Sequence, residues 1–180
     1  MLSIIVPETE LYDENTEEFT FIKETKLVLE YSLVAISKWE SKWKIPFLES
    51  EEKTIEQMID LVRCMTITQN VKPDVYKAIN MDILQEVINY IGDPMTATTF
   101  NNTQHNAKNA EKVTSELIYY WMTALQIPME CQKWHLNRLM VLIRIANEKN
   151  QPPKKMSKAD IFRQNKALNA QRRAKYKTRG

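Results

Sequence analysis

Glycine is almost missing from this chain: its 180 residues hold two, Gly92 and Gly180. A loop that cradles phosphate on its backbone N–H groups, or a dinucleotide-binding fingerprint, needs several glycines within a few residues. Nucleotide chemistry of those kinds is therefore excluded. Histidine is equally scarce, with only His105 and His135, whereas a zinc site needs three or four converging ligands. The two cysteines, Cys64 and Cys131, lie far apart and form no C-x-x-C pair, which argues against zinc and thiol-redox work. Long apolar runs are absent too. The longest, Leu139 to Ile143, is closed by Arg144, far short of the roughly 20 residues a membrane helix needs. Ile4-Ile5-Val6 has no basic residue ahead of it and stops at Pro7, so the start does not read as a secretory signal. The expected compartment is the cytoplasm, with both cysteines reduced and buried.

Hydrophobic residues at 43% and charged residues at 27% give the balance of a globular chain rather than a disordered one. The net charge of +2 hides an asymmetry. Lys149 to Gly180 carries 11 basic residues against Asp160 alone, a net of +10. The rest has 14 basic and 22 acidic residues, a net of −8. An acidic body with a basic tail suits an acidic partner or nucleic acid, and equally a tail that only keeps the chain in solution.

The first 31 residues read as short strands around an acidic turn at Asp13-Glu14-Asn15. Phe19 and Phe21 alternate with Thr20, the period of a half-buried strand, and Leu27 and Leu29 share one face. From Ser32, a plausible N-cap, the pattern turns helical, and Pro46 ends that helix. Thr54 and Gln57 form a capping box ahead of the stripe Ile55, Met58, Ile59, Val62 and Met65. Lys72-Pro73-Asp74 is a turn. Leu84, Val87, Ile88 and Ile91 repeat the helical spacing, and Gly92 stands where a left-handed C-terminal glycine belongs. Residues 93–109 are polar and aperiodic, a long loop. Val113, Leu117, Trp121 and Leu125 define the next helical face. After Pro128 the segment from Met129 is apolar over a wide arc and reads as the buried central helix of the body. Ser157 and Asp160 form a second capping box, opening a helix with few apolar residues that is ordered fully only against a partner. The expected fold class is mainly α with a small N-terminal antiparallel β element (α+β). Its parts are strands over 1–31, a compact helical body over 32–150 and a basic C-terminal helical extension over 151–180.

No catalytic constellation emerges. Cys131 and His135 are four apart and would share a helical face, but no further ligand and no oxyanion turn accompanies them, so a core cysteine beside a partly buried histidine is favoured. Glu130, in the first turn after Pro128, reads as a helix cap. Trp39 and Trp43 are interleaved with lysines in SKWESKWK, as in surfaces that stack nucleic-acid bases. Glu30 and Glu40 nearby oppose that, leaving one tryptophan in the core and the other covering it. The binding candidates are Lys154, Lys155, Arg163, Arg172 and Arg173 of the tail, with Trp39 and Trp43. No nucleic-acid-binding signature accompanies the basic residues, so DNA specificity is not expected.

Four stretches, taken in order, carry a resemblance: SLVAISKWESKWKIPFL at 32–48, CMTITQNVKPDVY at 64–76, IPMECQKWHLNRLMVLIRIANEKN at 127–150 and PPKKMSKADIFRQNKALNAQRRAKYKTRG at 152–180. Together they resemble the tail assembly chaperones encoded in the tail-gene region of long-tailed bacteriophages. The resemblance implies a non-catalytic protein without cofactor or metal. Its partner would be the phage tape-measure protein during tail-tube assembly, with the tail-tube protein and self-association as further contacts. It also implies a place in the cytoplasm of the infected bacterium and absence from the mature virion. The alternative is a virion structural or head–tail connector protein whose basic tail touches DNA or an acidic partner.

Overall fold

The structure is a computed structural model, which describes residues 1–13, 18–49, 52–98, 112–150 and 158–176. It is mainly α-helical with an antiparallel β element at the N-terminus, and it divides into two units, Met1–Glu148 and Lys149–Gly180.

Four strands open the first unit: β1 (Leu2–Val6), β2 (Thr9–Asp13), β3 (Glu18–Ile22) and β4 (Thr25–Leu29). β1 pairs with β4 and β2 with β3, both antiparallel. The register is common to both ladders: Leu2 faces Leu29, Val6 faces Thr25, Thr9 faces Ile22 and Asp13 faces Glu18. The four strands are thus one long ribbon, interrupted where Pro7, which lacks an N–H, and Glu8 lie across from Lys23 and Glu24. The face turned to the body changes at that interruption. In the β1–β4 half Ile4, Val6, Leu27 and Leu29 are buried, whereas in the β2–β3 half Ile22 is buried and Phe19 and Phe21 are 72% and 55% exposed. The half-buried strand expected from the Phe19/Phe21 alternation is corrected accordingly: the alternation is real, but these rings take the outer side. The free edge of β4 is occupied by the chain after α2, with Glu30 N–H donating to Met65 O and Ile67 N–H to Val28 O, each at 2.9 Å.

Helix α1 (Leu33–Trp43) starts on Ser32, whose side chain accepts from Ala35 N–H. Leu33, Ala35, Ile36 and Trp39 are buried, so this helix and not the C-terminal one lies at the centre of the body, packing on α2 and α4. With no glycine available, α1 ends on Lys44 in the left-handed region (φ 57°), its N–H donating to Glu40 O. Helix α2 (Ile55–Met65) has the complete capping box of Thr54 and Gln57. It buries Leu61, Val62 and Met65 and leaves Ile55 outside. A 3-10 turn at Pro73–Ala78 leads into α3 (Met81–Gly92), capped by Asn80. Its buried stripe is Ile83, Leu84, Val87 and Tyr90, while Ile88 faces solvent. Gly92 is the last helical residue and has no positive φ, so it is not the left-handed cap its position suggested; the chain leaves through Asp93 in an extended conformation.

Helix α4 (Ser115–Ala124) buries Ser115, Ile118 and Met122, a face rotated from the expected Val113/Leu117/Trp121/Leu125 line. The wide apolar segment after Pro128 is not one helix. Met129–Lys133 forms a 3-10 turn that carries Glu130, and Trp134 and His135 are extended. Helix α5 (Leu136–Asn150) begins only after them, because Leu136 N–H donates to Tyr31 O at 2.7 Å and His135 bridges to Ser32. Only Leu136, Leu139 and Ile143 of α5 are buried, so it flanks the body rather than forming its centre. Cys131 and His135 consequently do not share a helical face. Cys131 is buried and Cys64 partly so, and both are free. Most of the 93–109 loop, the second capping-box residue Ser157, and Glu14 and Asn15 of the acidic turn lie outside the described residues.

The second unit holds α6 (Lys158–Tyr176), 19 residues in which every described side chain is exposed.

Candidate functional site

Among the described residues, the buried carboxylates and the buried imidazole each make hydrogen bonds within the fold. Glu40, on the inner face of α1, accepts from Phe47 N–H and Ser115 N–H, each at 2.8 Å, and from the Ser115 hydroxyl. It thereby fastens the chain after α1 and the start of α4. Asp60 on α2 is paired with Lys42 at 2.7 Å and Arg63 at 3.3 Å, and its second oxygen accepts the Trp43 indole N–H at 3.0 Å. Trp39 is completely buried, and its indole donates to Gln57 O at 2.9 Å. The two tryptophans offered by the sequence as partner-binding residues therefore serve elsewhere. Trp39 cannot be reached from solvent, and half-buried Trp43 covers it, the ring centroids 6.1 Å apart.

His135 is held between Tyr31 and Tyr90, with ring centroids 5.3 and 4.9 Å away. Its Nδ1 accepts from Asn137 N–H at 3.3 Å, which places the ring proton on Nε2, and that nitrogen meets Tyr90 O at 3.1 Å. Burial lowers the imidazole pKa, opposed by the Tyr90 carbonyl and by Glu30 and Asp93. The same burial pushes up the Tyr31 hydroxyl, with the Glu40 charge adding to it. The Tyr90 hydroxyl is raised chiefly by desolvation and by its hydrogen bond to Glu30. Glu30 in turn meets the N-terminal amine at 3.3 Å. No buried polar side-chain atom among the described residues lacks a partner. Among the described residues, Glu40 and His135 hold neighbouring backbone, whereas Asp60 and Glu30 hold side chains and the N-terminal amine.

The described residues present a groove and an exposed helix as candidate binding surfaces. One is a groove of about 370 Å³ on the first unit, between α4 and α5. Trp121, Leu125, Met140 and Ile143 line it, with Arg144 and Asn147 at its rim. The rotated face of α4 creates this groove: Ile118 and Met122 serve the core, so Trp121 and Leu125 are left over to face α5. An apolar trough between two helices suits the apolar stripe of a third. Arg144 is paired with Glu148 at 3.2 Å.

The other surface is α6. Its basic residues Arg163, Lys166, Arg172, Arg173 and Lys175 are all exposed, and Arg163 approaches Asp160 at 4.0 Å. Ile161 and Leu168, seven apart, share one face and Phe162 stands beside it, but Asn165 and Arg172 interrupt that line, so α6 presents polar and charged groups on most of its circumference. Lys154 and Lys155 lie outside the described residues. Sequence reasoning missed the groove entirely. Its signal was the surplus of apolar residues in LIYYWM, more than one buried face can use.

Among the described residues, no helix is long and apolar enough to cross a membrane. Comparison of the chain with family models, with curated proteins and with solved structures finds no match.

Proposed function

We propose that this protein is a non-catalytic assembly chaperone for a long helical partner, namely the tape-measure protein of a long-tailed bacteriophage during tail-tube assembly. The observation that carries the reading is α6, a 19-residue helix exposed on every described side chain. An isolated helix of this length is marginal in water, and most helical stability in proteins comes from packing an apolar face. A helix without such a face is explained by a partner that recognises its charge. The apolar groove of the first unit supplies what α6 lacks, a trough for the hydrophobic stripe of a bound helix. The structural use of Glu40, Asp60 and His135 agrees with a protein that grips rather than transforms. The four stretches that resemble tail assembly chaperones supply the partner's identity, and with it the cytoplasm of the infected cell as the place of action.

Co-expression of the full chain with the phage tape-measure protein tests the reading. Wild type should co-purify with it, and Arg172→Glu/Arg173→Glu and Met140→Glu, on the tail and in the groove, should each reduce recovery. Undiminished recovery with both variants would refute it. Purified phage particles separate the alternative of a virion structural or connector protein, which would be present at stoichiometric levels, whereas an assembly chaperone would be missing.

A further inference from the structure

The β1–β4 half of the ribbon has a further stretch of chain beside it, along the outer edge of β4. There Glu30 N–H donates to Met65 O and Ile67 N–H to Val28 O. The last rung is made by a side chain, with Val28 N–H donating to the Thr68 hydroxyl at 2.8 Å. The chain then turns away through Asn70, which is left-handed at φ 59°. The outer edge of β3, which continues the same line, pairs with no strand among the described residues. Such an edge offers its N–H and C=O groups to an added strand. A cleft of about 340 Å³ lies along it, between β3 and residues 68–75. Ile22, Val71 and Val75 give the cleft its apolar lining. Lys23 and Lys72 also line it, are exposed, and make no ion pair among the described residues. Asp74 is paired with Lys77 at 3.0 Å, and Glu24 does not line the cleft. Two ammonium groups are thus left without a counter-charge beside an open strand edge.

We infer that this edge takes an extended segment of a different protein, one that alternates apolar and acidic residues, as a strand added beside β3. Successive side chains of a strand point to opposite faces. The apolar set of such a segment packs over Ile22, Val71 and Val75, and the acidic set meets Lys23 and Lys72 on the other side. Main-chain hydrogen bonds to the β3 edge supply affinity, and the alternation supplies selectivity. A basic segment would be repelled by the two lysines. A helix could not join the edge, because its own N–H and C=O groups are already bonded to each other. The inference is independent of the tape-measure reading, which concerns a helix held by the α4–α5 groove and by α6.

Fluorescence anisotropy of the full chain with a synthetic peptide tests it. The probe is a fluorescein-labelled peptide of alternating valine and glutamate, about six residues long, which at about 3.4 Å each covers β3. It should bind saturably, and Lys23→Glu/Lys72→Glu should weaken it at least about tenfold. A peptide of alternating valine and lysine should not bind wild type but should bind that variant. The valine–glutamate peptide with every amide N-methylated should not bind, because it keeps the charges and loses the strand hydrogen bonds. Circular dichroism melting checks that the variant folds, and Lys23→Gln/Lys72→Gln replaces it if it does not. Hydrogen exchange of the wild-type complex should gain protection in β3 and not in α6. No binding of the valine–glutamate peptide, equal binding of its N-methylated form, unchanged affinity in the lysine variant, or protection confined to α6 would each overturn the inference.

Discussion

Glu40 is the side chain whose loss should be felt most clearly. Replacing it by glutamine keeps the shape and removes the charge. The carboxamide oxygen can still accept Phe47 N–H, but its NH2 group then faces Ser115 N–H, a donor against a donor, in a site that is 8% exposed. A hydrogen bond to a charged group contributes about 1.5–3 kcal/mol, and a buried donor left unpaired costs about 1–3 kcal/mol. The Ser115 hydroxyl can rotate to accept from the new amide, which offsets part of the loss. Glu40→Gln should therefore destabilise the protein by about 2–3 kcal/mol, and Glu40→Ala, which removes all three bonds, by about 3–5 kcal/mol. For a body of this size each kcal/mol lowers the melting temperature by about 2–4 °C. Urea unfolding followed by tryptophan fluorescence measures the change, and native-state hydrogen exchange locates it: the amides of α4 should lose protection before those of α2. A Glu40→Gln midpoint within about 0.5 kcal/mol of wild type would refute the assignment of Glu40 as the fastener between α1 and α4.

Other expectations follow from the same geometry. Burial depresses the His135 pKa, so below the ordinary imidazole value of about 6.5 the unfolded chain binds more protons than the folded one and stability falls with falling pH. Urea midpoints should drop between about pH 7.5 and about pH 5.5, and His135→Gln should flatten that drop; an equally steep loss in the variant would dismiss His135 as the cause. Lys44→Gly, at the left-handed end of α1, should raise stability by up to about 1 kcal/mol, since a Cβ in that region is strained. A thermal melt that moves downward would mean the lysine side chain contributes more than the strain it introduces. Asp60→Ala should cost about 2–4 kcal/mol by leaving the Trp43 indole and two cations without their acceptor, and an unchanged melting temperature would contradict that. A chain ending after Glu148 should keep a cooperative melt, because the core residues all precede that point; a broad, non-cooperative transition would contradict the division into two units.

Local chemistry made some elements readable in advance. Ser32 and the Thr54–Gln57 box each fix a helix start through their own side chains, and those starts stand where the residues alone put them. What could not be read was decided by distant contacts. In Leu117–Met122 nearly every position is apolar, so periodicity cannot choose which face is buried, and packing against α1 chose Ile118 and Met122. The segment after Pro128 has helical composition throughout, yet pairing with Tyr31 and Ser32 stretches Trp134 and His135 and delays α5. The Phe19/Phe21 alternation announced a strand but not its orientation, which depends on the break at Pro7–Glu8 and Lys23–Glu24. That the cations of α6 stand exposed was legible, because charged side chains stay at the surface in almost any fold. The packing of Trp39 in the core with Trp43 covering it was legible too, from the acids Glu30 and Glu40 that oppose a stacking surface.

The shared register of the ribbon sets the terms on which its tip can change. Adding or removing one residue from each strand beyond Thr9 and Ile22 shortens or lengthens the arm and leaves Ile4, Val6, Leu27 and Leu29 where they are. An unmatched residue inserted between Lys23 and Glu24 would exchange the two faces of β3 and bring Lys23 to the place Ile22 now fills. The length of the arm is thus free to drift over generations, while its phase is locked to the hydrophobic interior beneath it.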